Sequence, residues 1–256
     1  MSAGTTIKVA MLRARTGYEY RLNGAYGTCL GYTGDAAEEI IDAANQHKPD
    51  ILMAPEFFLY AGSAATEEGK DRALAKIASG IQNKSMLVIP GTILWQKKGR
   101  LYNTAPIITA GIPAGAYHKA TNGWTSRIAE NHRLTAALGR SRGRLFRWNG
   151  LDVGLEICLD HARGMLRARE AKADLHLIVS CDMGLYPEQI IAREGGYALL
   201  CDGFDHSYAA GFNGEGQDFT SGKNRAAIKR SGRLVEVFPT NAGSIDLVEI
   251  TLAGGR

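Results

Sequence analysis

A carboxylate, an ammonium and a thiol stand out because each falls at or near the end of an apolar, strand-like run. They are Glu56 in Ile51-Leu-Met-Ala-Pro-Glu-Phe-Phe, Lys119 in Ala116-Tyr-His-Lys and Cys158 in Leu155-Glu-Ile-Cys. Singly, each has a plain reading: a capping carboxylate, a lysine whose head reaches water, a small core thiol. Together they are the parts of a nucleophilic site. A free thiol with a pKa of about 8.5 is mostly protonated at neutral pH, so attack needs a base or a neighbouring cation. Glu56, among Pro55, Phe57 and Phe58, is the expected base, to take the thiol proton and later give a proton to a leaving amine. Lys119 then offers positive charge to the thiolate and to the oxyanion of a tetrahedral intermediate.

The stretch from Leu151 to His161 must place the sulfur. Leu151, Val153, Leu155 and Ile157 alternate with Asp152, Gly154, Glu156 and Cys158, the period-two pattern of a strand, so Cys158 and Glu156 are expected on one face. Beyond it Met165, Leu166, Ala168 and Ala171 recur at helical spacing, with Asp160 as the expected cap. Cys158 is thus expected at a strand-to-helix turn, where the helix dipole lowers a thiol pKa and the Leu159 N–H faces an oxyanion. His161 raises a cysteine–histidine pair as a rival arrangement. Such partners usually come from distant segments, however, and His161 falls on the first helical turn.

Strands and helices alternate along the rest of the chain. Ile7 to Leu12 reads as an opening strand, and Gly17 to Gly34 as an irregular, tyrosine-bearing loop. Asp35-Ala-Ala-Glu38 opens a helix with Ile40, Ile41 and Ala44 on one stripe, and Leu74, Ile77, Ala78 and Ile81 mark a second. Met86 to Leu94 reads as one strand, Tyr102 to Thr109 as its return partner, and Ala173 to Cys181 as the close of a β-α-β unit. Pro187 opens a helix through Ile191, followed by a strand from Tyr197 to Cys201. Ala226 to Phe238 reads as a hairpin, and Ile245 to Leu252 as the last strand. This order predicts an α/β fold of layered sheets and helices.

A chain of 256 residues that is 45% hydrophobic can bury a large core, and no linker interrupts the pattern, so one domain over residues 1–256 is expected. A net charge of +4 is too modest to call for nucleic acid, and Arg140, Arg142, Arg144 and Arg147 read as a solvated loop. No leader or membrane-spanning run is visible, and Cys29, Cys158, Cys181 and Cys201 form no closely spaced pair, which fits reduced thiols in the cytoplasm. The six histidines lack metal-site spacing, so no metal is expected. Gly216 to Lys223 imitates a phosphate loop but has one residue too many before Gly-Lys, and Asn224 where a hydroxyl is needed.

With Leu101-Tyr-Asn-Thr-Ala ahead of Tyr117-His-Lys119, and Ile157-Cys158-Leu-Asp160 beyond, the sequence resembles the nitrilase superfamily of carbon-nitrogen hydrolases over nearly its whole length. The resemblance implies a four-layer α-β-β-α sandwich, assembled as a homodimer or higher homo-oligomer across the helices that flank the sheets. It implies hydrolysis of a non-peptide C–N bond in a small amide or carbamoyl compound, through a thioester and without a cofactor. Nitrile hydrolysis, acyl transfer from the same thioester, and a catalytically silent binding protein are the alternatives. A second glutamate oriented toward substrate is also implied, and Glu130 is the nearest match. Leu159, Glu156, Cys181 and Asp182 are the expected substrate contacts, with Glu156 otherwise a paired structural charge or a partner of Lys119 or Arg163. Leu159 stands where an aromatic commonly follows the nucleophile, and Ala162-Arg-Gly-Met165 replaces the usual Phe-Pro-Glu. Cys158-Leu-Asp160 therefore looks closer to the amidase and carbamoylase branches than to classical nitrilases, with a remodelled pocket wall.

Overall fold

Alternating and continuous apolar runs become strands, and the computed structural model stacks them as two sheets. The structure describes residues 4–13, 20–23, 26–29, 35–181, 183–203, 208–211 and 245–252. Asp182, the 226–238 hairpin and the phosphate-loop imitation at 216–223 lie outside the described residues. The first strands are β1 (Thr5–Leu12), β2 (Tyr20–Asn23), β3 (Tyr26–Cys29), β4 (Ile51–Met53), β5 (Leu87–Ile89), β6 (Ile93–Lys97), β7 (Arg100–Thr109), β8 (Ile112–His118) and β9 (Thr135–Ala137). There follow β10 (Arg144–Trp148), β11 (Leu151–Ile157), β12 (Ala173–Ser180), β13 (Ala192–Asp202), β14 (Tyr208–Gly211) and β15 (Ile245–Leu252). The helices are α1 (Ala36–His47), α2 (Glu67–Gly80), α3 (Trp124–Asn131) and α4 (Leu159–Ala162).

One sheet runs β15-β1-β4-β5-β7-β6, with β8 and β9 also paired to β7; the other runs β10-β11-β12-β13-β14, its three central strands parallel. The inner faces meet in the largest core, where Val9, Met11, Ile51 and Met53 pack in one cluster with Val153, Leu155, Ile157 and Leu177. On the outer face of the first sheet, Ile40 and Ala44 of α1 and Ile77 and Ala78 of α2 cover Ala10, Leu52 and Val88. Strand alternation thus feeds both cores, with Val9 and Met11 turned inward and Ala10 outward. The outer face of the second sheet is covered by α4 and a 3-10 turn at Arg167–Arg169, with Leu166 packed on Ala173 and Ile191. The α-β-β-α order is therefore present, and its fourth layer is short among the described residues. No described helix is long and apolar enough to cross a membrane.

Helix α1 starts where its sequence signal puts it: the Asp35 carboxylate accepts hydrogen bonds from the Ala37 and Glu38 N–H groups. Several expected elements are shorter or broken. The run from Met86 to Leu94 is two strands, because Pro90 has no N–H to pair and Gly91 turns at φ +75°, where a Cβ would lie 2.1 Å from the Pro55 carbonyl oxygen. The helix after Cys158 lasts only four residues, since Gly164 at φ +61° turns the chain where a Cβ would strike Gln189. Residues 165–171 keep their helical spacing but form turns. Pro187 opens a 3-10 turn to Gln189 rather than a helix, and β13 begins at Ala192. The expected loop at 17–34 contains the β2–β3 hairpin, and Arg144 and Arg147 lie on β10, both exposed, rather than in a loop.

Candidate active site

Strand ends gather the three ionisable groups. Glu56 follows β4, Lys119 follows β8 and Cys158 follows β11, so each side chain leaves its sheet at a carboxyl end, the edge where α/β folds place ligands. Lys119 Nζ donates to Glu56 Oε1 over 2.6 Å, and both side chains are almost wholly buried. Asn103 on β7 donates to the same oxygen at 2.7 Å and to Thr125 Oγ1 at 3.0 Å. The Glu56 loop is pinned from both sheets: its N–H donates to the Ser180 carbonyl, and the Phe57 N–H to Thr92 Oγ1. The other carboxylate oxygen, Oε2, is buried and accepts no hydrogen bond among the described residues.

Cys158 sits at φ +46°, a left-handed backbone that costs a non-glycine residue roughly 1–2 kcal/mol. That turn takes it off the β11 face it would share with Glu156 and into a cavity of about 430 Å³. Lys119, Gly123, Trp124, Arg127, Leu159 and Tyr186 are among the residues that line it. The Cys158 N–H continues the ladder to Val179, whereas the Leu159 N–H, the next along, has no backbone acceptor among the described residues. Burial pushes the Cys158 thiol up to about 12, and the neighbouring Glu56 charge adds to the push; Lys119 opposes both without cancelling them. Burial pulls Lys119 down, but the Cys158 and Glu56 charges outweigh it and hold its pKa above the ordinary lysine value. The thiol is therefore neutral at rest beside an ammonium–carboxylate pair. This corrects the expected lowering by a helix dipole: α4 is too short to supply one, and burial dominates.

The family model for carbon-nitrogen hydrolase matches residues 27–215. The chain belongs to the carbon-nitrogen hydrolase family. Its structure is similar to an amidase from Nesterenkonia sp., 14% identical, with 98% of this chain and 92% of that one covered at a TM-score of 0.63. It is also similar to a mutant of the Nesterenkonia sp. AN1 amidase showing Michael addition of acrylamide at the active-site cysteine, at 16% identity, 82% and 87% coverage and a TM-score of 0.57. A third likeness is to Saccharomyces cerevisiae Nit3, a member of branch 10 of the nitrilase superfamily, at 16% identity, 97% and 91% coverage and a TM-score of 0.59. No curated protein matches the sequence. At these identities the structural likenesses speak to the fold, and the family match makes this nitrilase-superfamily chain a C–N hydrolase.

The expected site residues divide. Leu159 and Cys181 line the cavity, and the Cys181 carbonyl lies 4.0 Å from the Cys158 sulfur. Glu130 does not: it stands on α3 with its side chain 68% exposed, 3.9 Å from Arg127, because the helix turns that position to water. Glu156 is not the expected substrate contact but the alternative also read from the sequence, a paired structural charge. It is fully buried on the outer face of β11, bound to His161, His176 and the Leu166 N–H rather than to substrate, Lys119 or Arg163. His161 bonds Glu156 and the Tyr186 N–H, which takes it out of any pairing with the thiol. Asp160 does not cap by its side chain; it accepts from Tyr117 Oη at 2.6 Å and from the Ala120 N–H at 3.0 Å, holding the residues on both sides of Lys119 against the nucleophile turn. Sequence reasoning missed that bridge and the role of Asn103. Only the Leu101-Tyr-Asn-Thr-Ala segment hinted at the second.

Proposed function

We propose that the chain is a cysteine-dependent hydrolase of small non-peptide amides or carbamoyl compounds, working through a thioester. Cys158 Sγ attacks the carbonyl carbon while its proton passes to Glu56 Oε2. The oxyanion is held by Lys119 Nζ and the Leu159 N–H. The intermediate then collapses: Glu56 gives the proton to the leaving nitrogen, the C–N bond breaks, and ammonia or an amine departs. A water molecule, deprotonated by Glu56, attacks the thioester; the acid leaves and the thiol regains its proton.

The observation that supports this reading is the buried 2.6 Å Lys119–Glu56 contact beside a neutral thiol at a strained turn. A thiol pushed up by burial needs a base at the moment of attack, and Glu56 Oε2 has a lone pair uncommitted among the described residues. The apolar wall formed by Trp124, Leu159, Met183 and Tyr186 suits a compact substrate. The acrylamide adduct on the active-site cysteine of the similar amidase adds to the case for the sulfur as the reacting atom. The test is a panel of short aliphatic amides and carbamoyl compounds, with release of ammonia or amine followed by intact-mass spectrometry for an acyl adduct. Adduct on Cys158 and loss of turnover in Cys158→Ala are expected. Undiminished turnover in that variant would falsify the mechanism.

A further inference from the structure

A second group of fully buried ionisable side chains lies behind the nucleophile. Glu156 on β11, His161 on α4 and His176 on β12 bring ligand-type atoms within 4.8 Å of one another. Glu156 Oε2 is 3.1 Å from His161 Nδ1 and 2.9 Å from His176 Nε2, and Glu156 Oε1 accepts from the Leu166 N–H at 2.7 Å. The other ring nitrogens are also engaged: His161 Nε2 accepts from the Tyr186 N–H at 3.1 Å, and His176 Nδ1 from the Ile191 N–H at 3.4 Å.

These contacts fix the protons. A ring nitrogen that accepts from a backbone N–H carries no proton, so each neutral imidazole has its single proton on the nitrogen facing Glu156. Both histidines donate, and Glu156 is an anion with three donors. The arrangement is wrong for a metal centre, although two histidines and a carboxylate are a common ligand set. A metal ligand donates from its far nitrogen, whereas these accept there, so coordination would require imidazolate or a broken backbone bond.

The placement gives the group a different task. Glu156 lies two residues before Cys158 and His161 three after, so their hydrogen bond closes across the turn whose apex is the sulfur-bearing residue. A backbone at φ +46° persists only where its surroundings over-determine it. His161 reaches on to Tyr186, which lines the cavity.

We propose that Glu156 and His161 are positioning residues: the Glu156–His161 bond holds the Cys158 turn, and the His161–Tyr186 bond holds the cavity wall, so one imidazole sets the distance between nucleophile and bound ligand. The proposal rests on reading Cys158 as the nucleophile. His176 serves as the second donor that keeps Glu156 charged and oriented.

The two faces of His161 can be cut separately. An asparagine amide reproduces the Nδ1 side and a glutamine amide the Nε2 side, so His161→Asn keeps the Glu156 bond and His161→Gln the Tyr186 bond. Alkylation by iodoacetamide, a cavity-sized amide that transfers carbamidomethyl to sulfur with loss of iodide and a proton, reads both without a known substrate. The full chain would be treated over a range of reagent concentrations, with Cys158, Cys181 and Cys201 resolved by peptide mass spectrometry. For His161→Gln and Glu156→Leu, which removes the acceptor altogether, the maximal Cys158 rate should fall by about tenfold or more with half-saturation unchanged. For His161→Asn half-saturation should rise severalfold with the maximal rate kept. Thermal melts give the folded fraction, and the His161 pair carries the test should Glu156→Leu fail to fold. A purely structural cluster would lower melting temperature without this split, and equal changes in both constants, or none, overturn the proposal. Amide turnover by Cys158→Ala, run in parallel, separates the outcomes: an active Cys158→Ala sinks the nucleophile reading itself, whereas an inactive one with no split sinks only the positioning role.

Discussion

Two buried charged clusters sit on either side of the Cys158 turn, and they differ in what they leave undone. Around Glu156 every lone pair and proton named above has a partner: three donors meet the carboxylate, and both far ring nitrogens accept. Around Glu56 the counts do not close. Among the described residues its Oε2 and the Asn103 Oδ1 lack partners, and the Leu159 N–H lacks a backbone acceptor. Unmet hydrogen-bonding capacity in a buried site costs stability, so it is expected where a ligand or transition state will complete it. In the proposed mechanism the complete cluster positions and the incomplete one reacts.

Substitution should expose this asymmetry most strongly at the incomplete cluster. Cys158→Ala and Glu56→Gln should each cut amide turnover by about 10³-fold or more, since neither the thioester nor the proton shuttle survives. Steady-state kinetics with a chromatographic product assay would check this, and activity within tenfold of the parent would break the comparison.

Lys119→Met should hurt both activity and folding. It removes the proposed oxyanion donor, worth about 10²–10³ in kcat, and leaves Glu56 buried without its cation, a loss of about 3–5 kcal/mol. Chemical denaturation beside the rate assay measures the pair. A stable Lys119→Met protein would mean that the cavity screens Glu56 far better than the 2.6 Å contact implies.

Acid should find the complete cluster first. Burial pulls the His161 pKa below its ordinary 6.5, so the unfolded chain takes up that proton before the folded one. Burial pushes Glu156 up, yet its bonds to His161 and His176 outweigh this and bring it from 4.5 down to about 2. Both groups bind protons more readily when unfolded, so their stabilisation is present above pH 6.5 and is lost as pH falls. The Glu156 share, on the order of 3 kcal/mol, goes between 4.5 and 2. Asp160, raised by burial, works in the opposite sense and softens the slope above its ordinary 3.8. Melting temperature should be level near neutrality, decline below pH 6.5 and fall steeply below 4.5; a protein equally stable at pH 4 and 7 would remove the Glu156 cluster from the account.

The smallest effect belongs to Glu130→Gln. An exposed helix charge 3.9 Å from its partner contributes under about 1 kcal/mol, and turnover should stay within about twofold. A large loss of kcat there would return Glu130 to the site and blur the contrast.

Much of this was legible in the chain itself. Apolar alternation marked β11, the Asp35 signal marked the start of α1, and Glu56, Lys119 and Cys158 declared themselves as charges or a thiol at the ends of apolar runs. Such patterns are local, because a strand's period and a helix's cap depend on residues within a few positions. Glu130 misled because a carboxylate on a short helix reads alike from sequence whether it faces a cavity or water. The substrate-contact reading of Glu156 failed, and the paired-charge reading held, because strand parity puts it on the same face as Cys158 only until φ turns positive.

What the sequence determined, then, was the inventory and its approximate stations: layered sheets, strand-end chemistry and an uncommon acid–base–thiol set. Only the folded chain decided which groups pair and which stay open. Glu56 meets a lysine 63 positions away, Asp160 a tyrosine 43 away and Glu156 a histidine 20 away. Burial, not helix polarity, sets the thiol's proton. Those outcomes depend on desolvation and on distances between segments remote in the chain, which arise only when the two sheets close on one another.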